Sequence, residues 1–334
     1  MQDSMHDHSS STTAHHTHFG APRIAFLFPG QGSQYLGMGK DLAAMYPVAE
    51  ETFREADEAL GYSLSKICFE GPEGQLKLTE ITQPAILTTS VAAFRVLRSK
   101  GIVPVSAAGH SLGEYSAHVA AETLEFTDAV RTVRQRGKYM QEAVPVGVGS
   151  MAAILGMEAE EVRHVCRDAS HGKVCEPANL NSPEQIVISG HTEAVERAAE
   201  LAKERGAKRA IVLQVSAPFH CPLMRPAQDR LEHELAALKF SNPEVPVISN
   251  VDAAEVRTSD QARDALLRQV TAAVQWEKSM RVLVEKGIRD FVEVGPGKVL
   301  CGIMRQIDRS CTCLNVEDEE SLQKTLNHFA HATR

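Results

Sequence analysis

The chain has 334 residues, of which 43% are hydrophobic and 23% are charged, and its formal net charge is −8. This is the profile of a soluble globular protein with about two domains, and the negative charge argues against a nucleic-acid partner. No apolar run approaches the roughly 20 residues of a membrane span, so a membrane is not an expected partner either.

The first 20 residues differ from the rest of the chain. They contain almost no apolar side chains and include five histidines, and such a segment cannot bury enough surface to offset its ordering entropy. A metal-binding tail is the alternative that the histidines suggest. We expect residues 1–20 to be a disordered leader, with the folded part beginning near residue 21.

The first predicted strand, Ile24–Phe28, runs directly into a glycine-rich loop. The loop lacks the G-x-G-x-x-G spacing of a dinucleotide fold, because the glycine after Gly32 is Gly37, and it also lacks the Gly-Lys-Ser/Thr of a Walker loop. It does offer backbone N–H groups beside the amide side chain of Gln31. These groups are suited to one half of an oxyanion hole.

Helices are predicted at 42–60 and 83–97, and a candidate nucleophile elbow follows them. The segment 109–113 is a G-x-S-x-G pentapeptide that lies between an apolar run and a helix-forming segment. In such an elbow the serine hydroxyl points out of the sheet, and the N–H of Leu112 points to where an oxyanion would form. The pattern predicts Ser111 as a nucleophile, and the alternative is a glycine-flanked turn in the core.

After a predicted helix at 126–141, the region 147–216 has its own order of elements. The predicted order is β-α-β-β-α-β, which is that of a ferredoxin-like unit. The predicted elements are 151–155, 158–169, 174–180, 185–189, 192–205 and 209–213. We expect a small subdomain inserted into a larger domain of 21–146 and 217–334, with a ligand cleft between the two.

The large domain is completed by predicted strands at 245–249, 291–294 and 312–315. Strands that alternate with helices imply an α/β fold with a mostly parallel sheet. Together with the elbow, this order predicts a large domain similar to that of the α/β-hydrolases.

Seven motifs give the chain a resemblance to the malonyl-CoA:acyl carrier protein transacylases, the acyltransferase family of fatty acid and polyketide synthesis. The resemblance covers nearly everything from about Arg23 to the C-terminal region. The motifs are FPGQGSQ at 28–34, GHSLGE at 109–114, RGKYMQ at 136–141, NSP at 181–183, APFHC at 217–221, NVD at 250–252 and EVGPGKVL at 293–300.

A serine nucleophile needs a base, since its hydroxyl is weakly nucleophilic at neutral pH. His110 adjoins Ser111 but would point back into the elbow, and we expect it to be a packed, hydrogen-bonded histidine. His118 lies two helical turns away. His220 matches the family's motif, and the resemblance therefore implies a Ser111–His220 dyad.

A serine hydrolase would orient the imidazole with a carboxylate. The resemblance implies that the main-chain carbonyl of Gln269 has this role here. From the residues alone, a nearby acid such as Asp252 remains an alternative.

The resemblance also places Arg136 in the acyl pocket, where a guanidinium fork would suit the free carboxylate of a malonyl group. Without the motif, Arg136 would be an ordinary arginine on a helix surface. Leu112 and Phe219 resemble the residues of malonyl-selective members, whereas members that take methylmalonyl tend to carry Gln and Ser there. Phe219, Asn181 and Gln269 complete the expected substrate-binding residues.

The implied activity is transfer of the malonyl group from malonyl-CoA to the phosphopantetheine thiol of acyl carrier protein, through a malonyl-serine intermediate, for fatty acid synthesis. No metal or other cofactor is implied. Seven scattered cysteines, without a C-x-x-C pair or a secretory signal, indicate a reducing cytoplasm, and we expect a monomer. The alternatives are a discrete trans-acting polyketide synthase acyltransferase, a hydrolase of acyl carrier protein thioesters and a non-catalytic carrier-protein binder.

Carrier proteins are acidic, so the acceptor is expected to meet a basic patch despite the negative net charge of the chain. A run of charges is more often only a solvated surface. The candidate cations are Lys203, Arg205, Lys208 and Arg209 in the small subdomain and Arg225 just past His220.

Overall fold

The computed structural model of the protein describes residues 23–332 except 214 and 216. The segment 1–20, predicted from the sequence to be a disordered tail, lies outside the described residues. The described part contains ten strands, which are β1 Ile24–Phe28, β2 Ser106–Gly109, β3 Gly149–Leu155, β4 Cys175–Ser182, β5 Gln185–His191, β6 Arg209–Val212, β7 Val247–Ile248, β8 Glu255–Val256, β9 Asp290–Val294 and β10 Thr312–Val316.

Helices connect most of these strands. Within the described ranges, none of the helices combines the length and the apolar character that a membrane crossing requires. The α-helices are α1 Lys40–Met45, α2 Pro47–Leu60, α3 Leu64–Glu70, α4 Glu73–Leu76, α5 Thr79–Ser99, α6 Gly113–Ala120, α7 Phe126–Glu142, α8 Ala159–Ser170, α9 Thr192–Glu204, α10 Arg225–Ala237, α11 Ser259–Arg268, α12 Trp276–Glu285, α13 Val299–Ile307 and α14 Glu319–Ala332.

Six strands form one sheet in the order β10-β9-β1-β2-β7-β8. Neighbouring strands are parallel from β10 to β7, and β8 pairs antiparallel with β7. The predicted α/β fold with a mostly parallel sheet is therefore confirmed. The two-residue strand β8 was not predicted.

Strand β1 is buried on both faces, which explains its continuous apolar sequence. Phe26 points to the side of α5, where its ring meets that of Phe94 edge to face, with 6.3 Å between the ring centroids. Ala25 and Leu27 belong to a second hydrophobic cluster that includes residues of α12 and α13. Helices thus cover both faces of the sheet at its centre.

Proline explains one difference between the predicted and observed helices. The helix predicted at 42–60 is two helices, α1 and α2, which are separated at Tyr46. Tyr46 has an extended backbone, with φ −127° and ψ 114°, and Pro47 occupies the first position of α2. A residue that precedes proline is disfavoured in the helical conformation, whereas proline suits the first helical position, so the chain breaks there.

The six elements predicted in 147–216 are all present, and their ends differ from the predicted ones by at most two residues. Strands β3 to β6 form a second sheet in the order β4-β5-β3-β6, and every neighbouring pair in it is antiparallel. Helices α8 and α9 pack beside this sheet. Their inner faces share one aliphatic cluster with the strands, which includes Ala152, Ile154, Val162, Val165 and Val195.

Strand β4 joins the small sheet to the rest of the protein. The N–H of Leu180 donates to the carbonyl of Val274 at 2.9 Å, and the N–H of Val274 donates to the carbonyl of Ala178 at 2.9 Å. These bonds hold β4 against the segment that precedes α12. They bring Asn179 and Asn181 to the cleft beside the end of β2.

Candidate active site

Ser111 lies on a sharp turn between β2 and α6, and its φ of 51° is in the left-handed region. A Cβ atom on Gly109 would lie 1.9 Å from the backbone of Gly113, and a Cβ atom on Gly113 would lie 2.1 Å from the carbonyl oxygen of Phe28. Only glycine fits at these two positions, because strand, turn and helix approach one another closely. The strand, turn and helix expected at the G-x-S-x-G segment are present.

Asn250 braces this turn from the end of β7. Its Oδ1 accepts the N–H of Ser111 at 2.7 Å, and its Nδ2 donates to the carbonyl of Gly109 at 2.7 Å. The side chain is fully buried. Asn250 belongs to the NVD motif at 250–252, but nothing local in the sequence shows that its side chain reaches the elbow.

His220 approaches Ser111 from a second turn with a left-handed residue, and its φ is 58°. Its Nε2 lies 2.7 Å from the Oγ of Ser111, and its Nδ1 lies 2.8 Å from the main-chain oxygen of Gln269. A carbonyl oxygen can only accept, so Nδ1 carries the proton and Nε2 is free to accept from the Ser111 hydroxyl. Asp252 is instead paired with Arg268, at 2.6 Å.

Burial first, and then the nearby cation of Arg136, lower the pKa of His220 to about 3. The imidazole is therefore neutral near pH 7 and can accept a proton. The imidazolium that forms faces a neutral carbonyl rather than a carboxylate. A proton taken from Ser111 is thus easily passed on to a leaving group.

The two other candidate histidines contact different groups. The Nε2 of His110 lies 2.8 Å from the Oδ1 of Asn181, and its ring centroid lies 5.3 Å from that of Trp276. His110 is thus packed and hydrogen-bonded, as expected from the sequence. His118 is fully buried, and neither of its ring nitrogens has a hydrogen-bond partner among the described residues. Burial lowers the pKa of both histidines, that of His118 to about 3.

Arg136 extends from α7 into the protein, and only 1% of its surface is exposed. Its Nη1 donates to the Oε1 of Gln83 at 2.9 Å, and its Nη2 donates to the Oε1 of Gln269 at 2.8 Å and to the Oγ of Ser111 at 3.2 Å. All three of these acceptors are neutral. Arg136 is therefore a buried cation beside the predicted nucleophile and does not lie on the helix surface. Gln83, which holds it from α5, was missed by the sequence analysis.

These side chains open onto a cavity of about 570 Å³ between the two sheets. Gln31, Leu112 and Phe219 line it from one side, and Asn181 lines it from β4. Its volume suits a small ligand. Among the described residues, no group of three or more His, Cys, Asp or Glu side chains is arranged to hold a metal ion.

Comparison with known proteins extends the similarity over nearly the whole chain. A family model described as acyl transferase domain matches residues 25–328. The malonyl CoA-acyl carrier protein transacylase of Escherichia coli (strain K12) is 50% identical over 305 residues, which are 91% of this chain and 99% of the relative.

Solved structures agree with this similarity. The malonyl CoA-acyl carrier protein transacylase from Coxiella burnetii has a TM-score of 0.91 at 45% identity, over 93% of this chain and 99% of that chain. A malonyl-transacylase in complex with a type II PKS acyl-carrier protein has a TM-score of 0.90 at 45% identity, over 92% of this chain and 99% of that chain. The likeness therefore concerns the complete fold rather than the elbow alone.

Proposed function

Because this chain belongs to the acyl transferase domain family, we propose that it transfers the malonyl group of malonyl-CoA to the phosphopantetheine thiol of an acyl carrier protein. One observation carries this proposal. The Oγ of Ser111 lies 2.7 Å from a neutral imidazole and 3.2 Å from the buried guanidinium of Arg136. A serine with a base forms acyl-enzymes, and a buried cation beside it favours an acyl group that has a free carboxylate.

In the first half of the reaction, the malonyl carboxylate pairs with Arg136 and brings the thioester carbonyl to Ser111. Nε2 of His220 takes the hydroxyl proton while Oγ attacks the carbonyl carbon. The N–H groups of Leu112 and Gln31, both of which line the cavity, hold the negative oxygen of the tetrahedral intermediate. The C–S bond then breaks, and the CoA thiolate leaves with the proton from His220.

In the second half, the phosphopantetheine thiol of the carrier protein enters the same cavity. His220 takes the thiol proton, and the thiolate attacks the malonyl ester of Ser111. Collapse of the intermediate returns the proton to the Oγ of Ser111 and leaves malonyl on the carrier. The bond from Nδ1 of His220 to Gln269 holds the ring in one tautomer through both halves.

We also propose that the chain is divided into an α/β-hydrolase-like large domain of 21–146 and 217–334 and a ferredoxin-like subdomain of 147–216. The antiparallel order β4-β5-β3-β6 and the separate aliphatic cluster of the small sheet support this division. We propose that the protein is a cytoplasmic monomer that supplies fatty acid synthesis, and service to a polyketide synthase is the alternative role.

Radiolabelled malonyl-CoA tests the function. We expect the label to appear on the protein without carrier and to move to acyl carrier protein when carrier is added, and Ser111→Ala should abolish the labelled protein intermediate. Release of free malonate from the loaded carrier would indicate a hydrolase, and absence of any labelled protein would indicate a non-catalytic binder. An adduct that survives in Ser111→Ala, for instance on Cys221, would overturn Ser111 as the nucleophile.

A further inference from the structure

Glu114 is a completely buried carboxyl group in the first turn of α6, three residues after Ser111. Its Oε2 accepts from the Nε2 of Gln269 at 2.6 Å and from the N–H of Asn250 at 3.2 Å. Its Oε1 has no hydrogen-bond partner among the described residues. The mechanism above makes no use of this group, although buried carboxyl groups are expensive to keep.

Gln269 connects Glu114 to the reacting groups. The Nε2 that donates to Glu114 also donates to the carbonyl of Ser111 at 2.9 Å. Its Oε1 accepts from Arg136 at 2.8 Å, and its main-chain oxygen accepts from His220 at 2.8 Å. One amide thus separates the carboxyl group of Glu114 from the guanidinium of Arg136.

Arg136 has no directly bonded carboxylate in the described part of the chain. Its hydrogen-bond acceptors are the neutral oxygens of Gln83, Gln269 and Ser111, and its Nε has no partner there. A buried cation without a counter-charge is strongly unfavourable. Glu114, on the other side of Gln269, supplies a counter-charge when its carboxyl group is ionised.

The malonyl carboxylate changes this balance. When it pairs with Arg136, an ionised Glu114 would leave the buried site with one excess negative charge. We propose that Glu114 is a positioning residue that balances Arg136 in the unloaded protein and takes up one proton from solvent when a malonyl carboxylate enters. This inference rests on the proposed function. Above about pH 7, where Glu114 is ionised in the unloaded protein, the charge of the site is then zero before and after loading. An acetyl group, which has no carboxylate, requires no proton.

Glu114 gains or loses its proton near neutral pH. Burial raises the pKa of Glu114 to about 7, and the hydrogen bonds from Gln269 and Asn250 oppose that rise. A malonyl carboxylate paired with Arg136 would raise the pKa of Glu114 further. Malonyl-CoA affinity is therefore expected to be constant below about pH 7 and to weaken as the pH rises above it.

Few other charges act on Glu114. Arg136 from α7, Tyr115 from α6 and Asp252 from the loop after β7 interact with it electrostatically. Strands β1, β2 and β7, which contact α6, carry no titratable side chain. The charged side chains of α5 and α11 that have ion-pair partners outside the site are Arg95 with Glu55, Arg98 with Glu122, Arg263 with Asp260, and Arg268 with Asp252 and Asp264.

Calorimetric titration in two buffers with different ionisation enthalpies tests the proposal. The Ser111→Ala variant is titrated, so that no acyl transfer occurs. The ligands are malonyl-CoA and acetyl-CoA at pH 8. We expect uptake of about one proton for malonyl-CoA and none for acetyl-CoA. Between pH 6.5 and 8.5, malonyl-CoA affinity should weaken by about 10- to 30-fold.

Glu114→Gln, added to Ser111→Ala, keeps the acceptor oxygen for Gln269 but cannot ionise. We expect malonyl-CoA to bind this double variant without proton uptake and with the same affinity at both pH values. Asp252→Asn in the same background is the matched control, because it removes a nearby but half-exposed carboxylate, and it should retain the uptake. Circular dichroism establishes that the variants are folded.

The outcomes separate this inference from the proposed function. Proton uptake that persists in Glu114→Gln, for instance at His220, would overturn the role of Glu114. Preferential binding of malonyl-CoA with no proton uptake in Ser111→Ala would also overturn it, but would leave the proposed function intact. Equal affinity for malonyl-CoA and acetyl-CoA in every variant would instead contradict the malonyl specificity itself.

Discussion

The two sides of the cleft bury different kinds of side chain. On the side of the six-stranded sheet, Gln83, Glu114, Arg136, Asn250 and Gln269 are each at most 1% exposed and form one connected polar network. Beside the four-stranded sheet, the interior that the strands share with α8 and α9 is a hydrophobic cluster. This polar network therefore lies where we propose that the reaction occurs.

The charged side chains beside the four-stranded sheet lie on the surface. Arg205, for example, pairs with Glu161 and Asp168, and the side chains of these three residues are 34–53% exposed. Exposed pairs of this kind contribute little to stability, whereas a buried charge that loses its partner is strongly destabilised. Substitutions in the polar network should therefore change the chemistry, and substitutions of exposed charges beside the four-stranded sheet should change only recognition.

Among the variants of the polar network, Arg136→Ala should have the largest effect. It would leave the malonyl carboxylate without a partner, and kcat/KM for malonyl-CoA should fall by roughly two to four powers of ten, or about 3–5 kcal/mol. Transfer of acetyl should hold steady or rise, since acetyl has no carboxylate. Arg136→Lys should recover part of the malonyl activity, because a point charge cannot form two parallel bonds. The measurement is kcat/KM for both thioesters.

The control for Arg136 is the ratio of the two substrates in variants whose folding is established by circular dichroism. A parallel fall in malonyl and acetyl transfer would mean that Arg136 supports the fold or the Ser111 hydroxyl, with which it shares a 3.2 Å contact. Arg136 would then not be the source of malonyl selectivity.

His220→Ala tests the proposed base of Ser111. Without its base, Ser111 should form the malonyl-enzyme more slowly by roughly two to four powers of ten, while the attachment point remains. Intact-protein mass spectrometry after rapid mixing with malonyl-CoA measures the rate. Asp252→Asn is the matched control, because Asp252 pairs with Arg268 rather than with His220. An equal loss of rate in Asp252→Asn would indicate that the carboxylate of Asp252 takes part in the mechanism.

The effect of burying a polar group away from the cavity on stability can be tested at His118. Burial lowers its pKa to about 3 in the folded protein, whereas the unfolded chain binds a proton near pH 6.5. Because the unfolded chain binds this proton and the folded protein does not, the free energy of unfolding falls as the pH drops below about 6.5. The loss amounts to about 2 kcal/mol at pH 5. His118→Leu should reduce the stability difference between pH 8 and pH 5 by that amount.

Denaturant unfolding at both pH values measures this difference, and any packing change common to both pH values cancels. His164→Leu, at a side chain that is 44% exposed on α8, is the control and should leave the difference unchanged. If His118→Leu leaves it unchanged too, the acid sensitivity of the protein has another source.

The smallest effect is expected at the edge of the four-stranded sheet. Lys208 and Arg209 are exposed at the start of the edge strand β6, where they can meet an acidic carrier protein. Reversal of both to Glu should raise the apparent KM for carrier protein by about 3- to 10-fold through loss of electrostatic steering. The KM for malonyl-CoA should not change.

A control with the same change in net charge uses Lys100→Glu and Arg289→Glu, which lie before β2 and β9 at the amino-terminal edge of the large sheet. Steady-state kinetics at two salt concentrations separates local contact from overall charge. Equal effects on both substrates, or equal effects in the control pair, would exclude this patch as the carrier site.

Most of the secondary structure was predictable because it follows from local patterns. The strand Ile24–Phe28 agrees at both ends, and the elements of 147–216 agree within two residues. The helices after residue 217 and the short α3 and α4 were not predicted. The split of 42–60 at Tyr46 was missed although Pro47 signals it, because the apolar spacing continues across the break.

The sequence by itself predicted the elbow, since the steric demand for glycine at 109 acts against Gly113, only four positions away. Through the motifs it also predicted Ser111, His220 and Arg136 as site residues. Only the tertiary structure decided how these groups are held. Gln83 and Gln269 lie 53 and 133 positions from Arg136, and Glu114 lies 155 positions from Gln269. No local periodicity encodes such contacts, because side chains distant in sequence become neighbours only when strands and helices pack.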